Sequence, residues 1–274
     1  MGQSWELLKK DKELLIFPLV SCICCIFVIA SFAVPSIMNE SYMPPAGGEG
    51  QEEVASTQEQ VIYYAKLFMF YFCNYFVIIF FNSAIAGCAS MRMHGQNPTI
   101  GDGFSIAFSR LHVILGWALI SASVGLILRI IEDKNKKIGA IIASLLGTAW
   151  TLVSFLVLPI LVIENLGPFA AMKKSTALFK KTWGAQIGAN FSFGMIFFLL
   201  FLPAILIVVL GVLTQSVAIM VTCIVVAILY TIILSLVQST LGVIFQTALY
   251  YYADKGEAPA GFDTQMLQSS VRQK

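Results

Sequence analysis

Residues 14–34 read LLIFPLVSCICCIFVIASFAV, a stretch without a single charged side chain. At a rise of about 1.5 Å per residue, roughly 20 apolar residues cross the hydrocarbon of a bilayer, and a helix satisfies every backbone N–H and C=O within its own segment. Five more apolar runs follow, at 61–89, 113–131, 138–163, 187–213 and 217–250, with Lys66 and Arg129 near span ends where they can snorkel. They are apolar all round rather than alternating, which excludes a membrane barrel. The pattern predicts an all-α polytopic membrane protein with six transmembrane helices.

Composition agrees. Of 274 residues, 58% are hydrophobic and only 12% charged, with a mean hydropathy of +0.83, where soluble domains carry about 25% charge. No stretch remains for a separate soluble domain, so residues 1–274 read as one membrane domain and a soluble enzyme is excluded. Lys9, Lys10 and Lys12 before the first span, with Ser31-Phe32-Ala33 near its end, resemble a signal peptide. Signal cores run only about 7 to 15 residues, so the segment reads as an uncleaved anchor.

Positive charge sets the expected orientation. With the N-terminus in the cytoplasm, Lys9, Lys10, Lys12, Arg92, Arg110, Lys173, Lys174, Lys180, Lys181, Lys255, Arg272 and Lys274 lie inside, twelve of seventeen basic residues. The outer loop 35–60 has no Lys or Arg and carries Glu40, Glu49, Glu52, Glu53 and Glu59. Both termini are therefore expected in the cytoplasm of a plasma-membrane protein. Lys134, Lys136 and Lys137 dissent on the outer side. Glu132 and Asp133, at helical spacing from Arg129, are expected to neutralise it in part.

The inner ends of the second, fourth and sixth spans run into similar turns: Gly95-Gln96-Asn97-Pro98, Asn165-Leu166-Gly167-Pro168 and Gly256-Glu257-Ala258-Pro259. Glycine permits a left-handed exit from a helix and proline bars its continuation. Gly-Phe follows the first and third turns, at 103–104 and 261–262. Amphipathic segments are expected before the odd spans: 4–13, with Trp5 and Leu8 apolar; 102–111, with Asp102 as N-cap; and 168–183. In the last, Phe169, Met172, Thr176, Phe179 and Trp183 form one stripe. The architecture predicted is three units, each an interfacial helix followed by a two-span hairpin. Small residues four apart, at Ser83/Gly87, Ser121/Gly125, Gly139/Ala143/Gly147 and Gly184/Gly188, predict a compact bundle. Pro18, Pro159 and Pro203 predict kinks.

Chemistry-bearing residues are few. Lys173, Lys174, Lys180, Lys181, Trp183, Trp5, Lys9 and Lys10 are candidates for contacting anionic lipid headgroups, although inner lysines also serve simply to set topology. Asn74, Asn82, Glu164 and Asn190 are candidates for a polar path, with interhelical hydrogen bonding as the commoner use of such residues. Glu164 is read as a cation or headgroup-amine ligand, or as the partner of a nearby lysine. Trp150 lies mid-span and either walls a cleft or fills space beside Gly147. His94 and His112 have no nucleophile or carboxylate pair at recognisable spacing, and Gly101-Asp102-Gly103 reads as a turn. The six cysteines lie in apolar segments. Cys22 and Cys25 are one turn apart without a His or carboxylate to complete a metal site, so no cofactor or metal is expected.

The chain resembles a family of bacterial and archaeal six-span membrane proteins known only as a domain of unknown function. The resemblance rests on the run Ser4 to Leu15 leading to Pro18, on Gly95 to Pro98 with Arg110-Leu111, on Ala149-Trp150 leading to Pro159, on Glu164 to Pro168, and on Lys180 to Gly184. More distantly, the repeated hairpins are similar to the membrane domain of some glycerophosphodiester phosphodiesterases, whose catalytic domain has no counterpart here. The resemblance implies the fold and a bacterial plasma membrane, and no catalytic residue.

The functional expectation is a non-enzymatic scaffold or lipid-interacting factor. Its partners would be membrane lipids, with a membrane protein or a second copy of the chain as a further partner, and no nucleic acid. The alternative is a small-molecule or ion transporter or channel.

Overall fold

A computed structural model describes residues 2–38, 57–134 and 138–256, with the side chains of 181–193 outside the description. Helix α1 (Gly2–Lys10) and a 3-10 turn (Lys12–Leu15) lead into α2 (Ile16–Met38). There follow α3 (Thr57–Met93), α4 (Ile100–Ser109), α5 (Leu111–Lys134), α6 (Ile138–Ser154), α7 (Val157–Glu164), α8 (Pro168–Leu213) and α9 (Val217–Lys255). No strand occurs among the described residues. Six segments are long and apolar enough to cross a bilayer: Lys12–Pro35, Gln58–Met93, Leu111–Asp133, Ile138–Glu164, Gly194–Leu213 and Val217–Lys255. This is the fold of a multi-pass membrane protein. The acidic loop lies outside the described residues over 39–56, as does the third turn beyond Gly256.

The three turns leave their helices alike. Gly95 has φ +80°, Asn165 +55° and Gly256 +75°, each in the left-handed region just past the end of α3, α7 and α9. In the second turn Asn165 takes the role expected of glycine, while Gly167 is extended at φ −61°, ψ 155°. Asparagine is the residue besides glycine that most readily adopts this exit.

Four expectations are corrected. Thr99, not Asp102, is the N-cap of α4. Asp102 is its capping-box partner, accepting from the Thr99 N–H at 2.8 Å. Gly101-Asp102-Gly103 is thus a helical first turn, and Gly103 is required there because a Cβ would sit 2.4 Å from Phe17 Cζ and 2.9 Å from Cys88 Sγ. Pro18 falls in the first turn of α2, where its missing N–H has no intrahelical partner to lose, so it starts that helix rather than kinking it. Finally, the segment 168–183 is no separate interfacial helix. It is continuous with the fifth span in α8, 46 residues long, because no cap or proline separates them.

The fourth span is broken as Pro159 predicts, at Phe155-Leu156 between α6 and α7. Proline removes one N–H and its ring clashes with the carbonyl four residues back. At the break between α6 and α7, Ser175 of α8 supplies partners to two further backbone groups. Its hydroxyl donates to the Val153 carbonyl at 2.6 Å and accepts from the Leu156 N–H at 3.2 Å.

Helix α3 is the hub, packing against α2, α4, α5, α7 and α9. The fully buried side chains cluster towards one end of the bundle: Ala84, Ile85 and Cys88 of α3, Ile114 and Ala118 of α5, Leu156 just before α7 with Val157, Ile160 and Leu161 in it, and Ile244, Ala248 and Leu249 of α9. This end, where α1, α4 and the start of α8 gather, is here the near face. Towards the far face α8 and α9 leave Phe198, Leu213 and Val217 widely exposed. The compact bundle expected from the small-residue pairs is therefore confined to one half. Gly87 and Gly125 receive side chains, Ile106 and Tyr75, rather than another backbone. Gly184 and Gly188 lie in the stretch whose side chains are not described. Trp150 stacks on Trp117 with ring centroids 5.2 Å apart and planes at 19°, filling space between α6 and α5.

Candidate functional site

The near face is built from α1, the start of α8 and the ends of α3, α7 and α9. Leu7, Leu8 and Asp11 are buried and anchor α1, which leaves Trp5 43% exposed. Lys9 sits 5.8 Å over the Trp5 ring and pairs with Glu6 at 2.8 Å. That hydrogen bond holds the Glu6 carboxyl below its usual range. Lys10 and Lys12 are exposed.

In α8 the buried stripe is Ala171, Ser175 and Leu178, about one turn apart, whereas Met172, Thr176 and Phe179 of the stripe read from the sequence are half-buried. Small residues let α8 approach α7 and α9 closely. Phe169 is instead 76% exposed, and Lys173 and Lys180 share its outward side at helical spacing. The side chains of Lys181, Trp183 and Asn190 lie outside the description.

Lys174, a headgroup candidate in the sequence, is turned inward. Its Nζ lies 2.7 Å from Glu164 Oε1 and 2.7 Å from Asp254 Oδ1, and the Tyr250 hydroxyl also donates to Glu164. Glu164 thus takes the nearby-lysine role. Burial by itself would lower the Lys174 pKa, but the hydrogen bonds to Asp254 and Glu164 outweigh it and hold the group above the ordinary lysine value of 10.5. All three charged side chains are under a third exposed. Lys174→Met leaves two carboxylates facing each other, and a loss of about 1–2 kcal/mol is expected in thermal unfolding. Because the folded pKa is raised, this contribution is complete below pH 10.5 and fades as pH rises through the folded value, a decline that the variant lacks.

A second ion pair ties the amino-terminal segment to the hub. Arg92, in the last turn of α3, grips both oxygens of Asp11, with Nε at 2.5 Å from Oδ2, and its third nitrogen donates to Asn97 of the first turn. Arg110, at the end of α4, donates from Nε to the Val162 carbonyl at 3.0 Å, capping the end of α7. Each left-handed exit therefore follows a charged residue, Arg92, Glu164 or Asp254, that is tied by an ion pair to α8 or to the segment linking α1 and α2.

The polar-path candidates are not gathered. Asn74 donates to the Phe70 carbonyl of its own helix at 2.9 Å. It lies about 27 Å along α3 from Arg92, at 1.5 Å per residue, whereas Glu164 sits at the near face. Asn82 is half-buried. The titratable groups a catalytic reading would need are likewise engaged apart. His94 Nδ1 bonds the Ser90 carbonyl at 2.7 Å and its ring packs on Tyr251, whose hydroxyl meets Ser90 Oγ at 2.7 Å. His112 is exposed at the start of α5, and Asp102 caps α4, its carboxyl held below the usual range by Thr99.

Asp11, Ser175, Tyr250 and Asp254 carry this face and were not singled out in the sequence. The signal that points to the first is a carboxylate set among Lys9, Lys10 and Lys12; for Ser175 it is a lone hydroxyl on a stripe of small residues.

A family model described as a family of unknown function (DUF6159) matches residues 61–262, and the chain belongs to that family. No curated protein and no solved structure matches it.

Proposed function

We propose that this member of the family is a non-enzymatic integral protein of the plasma membrane, with both termini cytoplasmic, that engages anionic phospholipid headgroups at its near face. One observation carries the reading: Phe169, 76% exposed, stands beside the exposed Lys173 and Lys180 on one side of α8. An aromatic ring buried at the acyl boundary with lysines at the headgroup level is the pattern of interfacial lipid binding. Trp5 and Lys10 on α1, with Lys12 at the start of the 3-10 turn, repeat the combination of an exposed aromatic ring and exposed lysines. The excess of basic residues on this side supports its cytoplasmic placement.

The closed ion-pair cluster behind this surface supports a structural rather than a reactive role for Lys174, Glu164 and Asp254. The test is quantification of phospholipid retained on protein purified from native membranes. With each surface lysine worth about 1 kcal/mol, Lys173→Gln/Lys180→Gln is expected to lower retained anionic lipid at least tenfold. Lys174→Gln should act on stability and leave retention nearly intact. Unchanged retention in the double variant rejects the reading.

A further inference from the structure

A groove of about 420 Å³ opens sideways between α3, α5 and α6, towards the far face, lined by Tyr71, Tyr75, Gly125, Arg129, Glu132 and Ala143 among others. This volume is within the range that holds small ligands, about 300–1,000 Å³. Its walls are membrane-spanning segments, so an occupant enters from the bilayer. Gly125 forms the floor, with the Tyr75 ring and hydroxyl 3.4 Å from where a Cβ would stand. Tyr71 and Tyr75 line one wall with ring centroids 6.4 Å apart.

The polar end of the groove has a definite charge pattern. Arg129 lies five residues before the end of α5, about 7 Å along the axis, where a long side chain reaches the headgroup level. Its contacts to Glu132 and Asp133 are long, 3.4 and 3.3 Å, and a guanidinium has five N–H donors, so capacity for a phosphate remains. Among the side chains that line this end, the Arg129 guanidinium stands beside the Glu132 carboxylate. A phosphate for the first and an ammonium for the second are supplied together by a zwitterionic headgroup.

We propose that this groove binds a zwitterionic phospholipid with an ethanolamine headgroup. Its phosphate is held by Arg129, its ammonium by Glu132, and one acyl chain lies over Gly125 against the tyrosines. Ethanolamine fits better than choline because only the primary ammonium donates hydrogen bonds to a carboxylate.

The test uses the full chain carrying Lys173→Gln/Lys180→Gln, so that the near-face surface contributes no anionic-lipid adduct, in detergent micelles with dioleoyl phosphatidylethanolamine, phosphatidylcholine or phosphatidylglycerol added separately, adducts being read by native mass spectrometry. Phosphatidylethanolamine is expected to be retained at least tenfold over the other two. Glu132→Gln should erase its advantage over phosphatidylcholine, Arg129→Gln should weaken every adduct, and Gly125→Leu should block the groove. The two exposed-side-chain variants carry the test if Gly125→Leu fails to fold. Equal retention of the three lipids, preference for phosphatidylglycerol, a protein dimer in place of lipid adducts, or adducts indifferent to Glu132→Gln and Arg129→Gln would each overturn the proposal. Lys173→Gln/Lys180→Gln should leave the phosphatidylethanolamine adduct intact, which separates this site from the near-face surface.

Discussion

Replacing Asp11 by leucine is expected to destabilise the protein by about 3 kcal/mol, since removing one partner of a buried ion pair strands the other charge. The Asp11 side chain is 7% exposed and that of Arg92 20%, and the guanidinium meets both carboxylate oxygens. Little water is at hand to replace the lost partner. At about 2–4 °C per kcal/mol for a chain of this size, the midpoint of unfolding in detergent should fall by roughly 6–12 °C. Tryptophan fluorescence during a thermal ramp reads it. Asp11→Leu/Arg92→Met should recover part of the loss, because two apolar side chains carry no unpaired charge. A midpoint unmoved by Asp11→Leu would show that the pair does not hold the amino-terminal segment to α3.

Ser175→Ala should cost about 2–4 kcal/mol, by leaving the Leu156 N–H and the Val153 carbonyl without a partner inside the bundle, at about 1–3 kcal/mol for each unsatisfied group. Ser175 is fully buried, so no solvent replaces it. Ser154→Ala is the control. That hydroxyl bonds the Trp150 carbonyl of its own helix at 2.7 Å, and its loss should be nearly neutral. A double-mutant cycle sharpens the test. In a Pro159→Ala background the fourth span can regain its intrahelical bonds, and the serine should then matter less. Equal cost of Ser175→Ala in both backgrounds would detach the hydroxyl from the helix break.

These residues show why the site was less legible than the spans. Lys173 and Lys174 are neighbours of the same type, yet one faces outward and the other closes a cluster with Glu164, ten residues back, and with Asp254, eighty residues on. Only a rotation of about 100° per residue on α8, and the positions of α7 and α9, separate their roles. Ser175 was not singled out in the sequence, for a related reason. A hydrophobicity pattern takes the buried side of a helix to be the apolar one, as it is in water. In a lipid environment large apolar side chains gain nothing by facing inward, and small residues form the contact.

From the residues alone came the number of crossings, the left-handed exits after the second, fourth and sixth spans, the break at Pro159 and the compensation of Arg129. Each is a local matter of length, turn chemistry or helical spacing, enforced because a backbone in hydrocarbon must satisfy its own hydrogen bonds. Which side chains turn inward, which lysine is free, and where the helices part to leave a groove were decided by tertiary packing. In oil, burial carries no hydrophobic premium, so helix orientation follows shape and the pairing of a few polar groups distant in the chain.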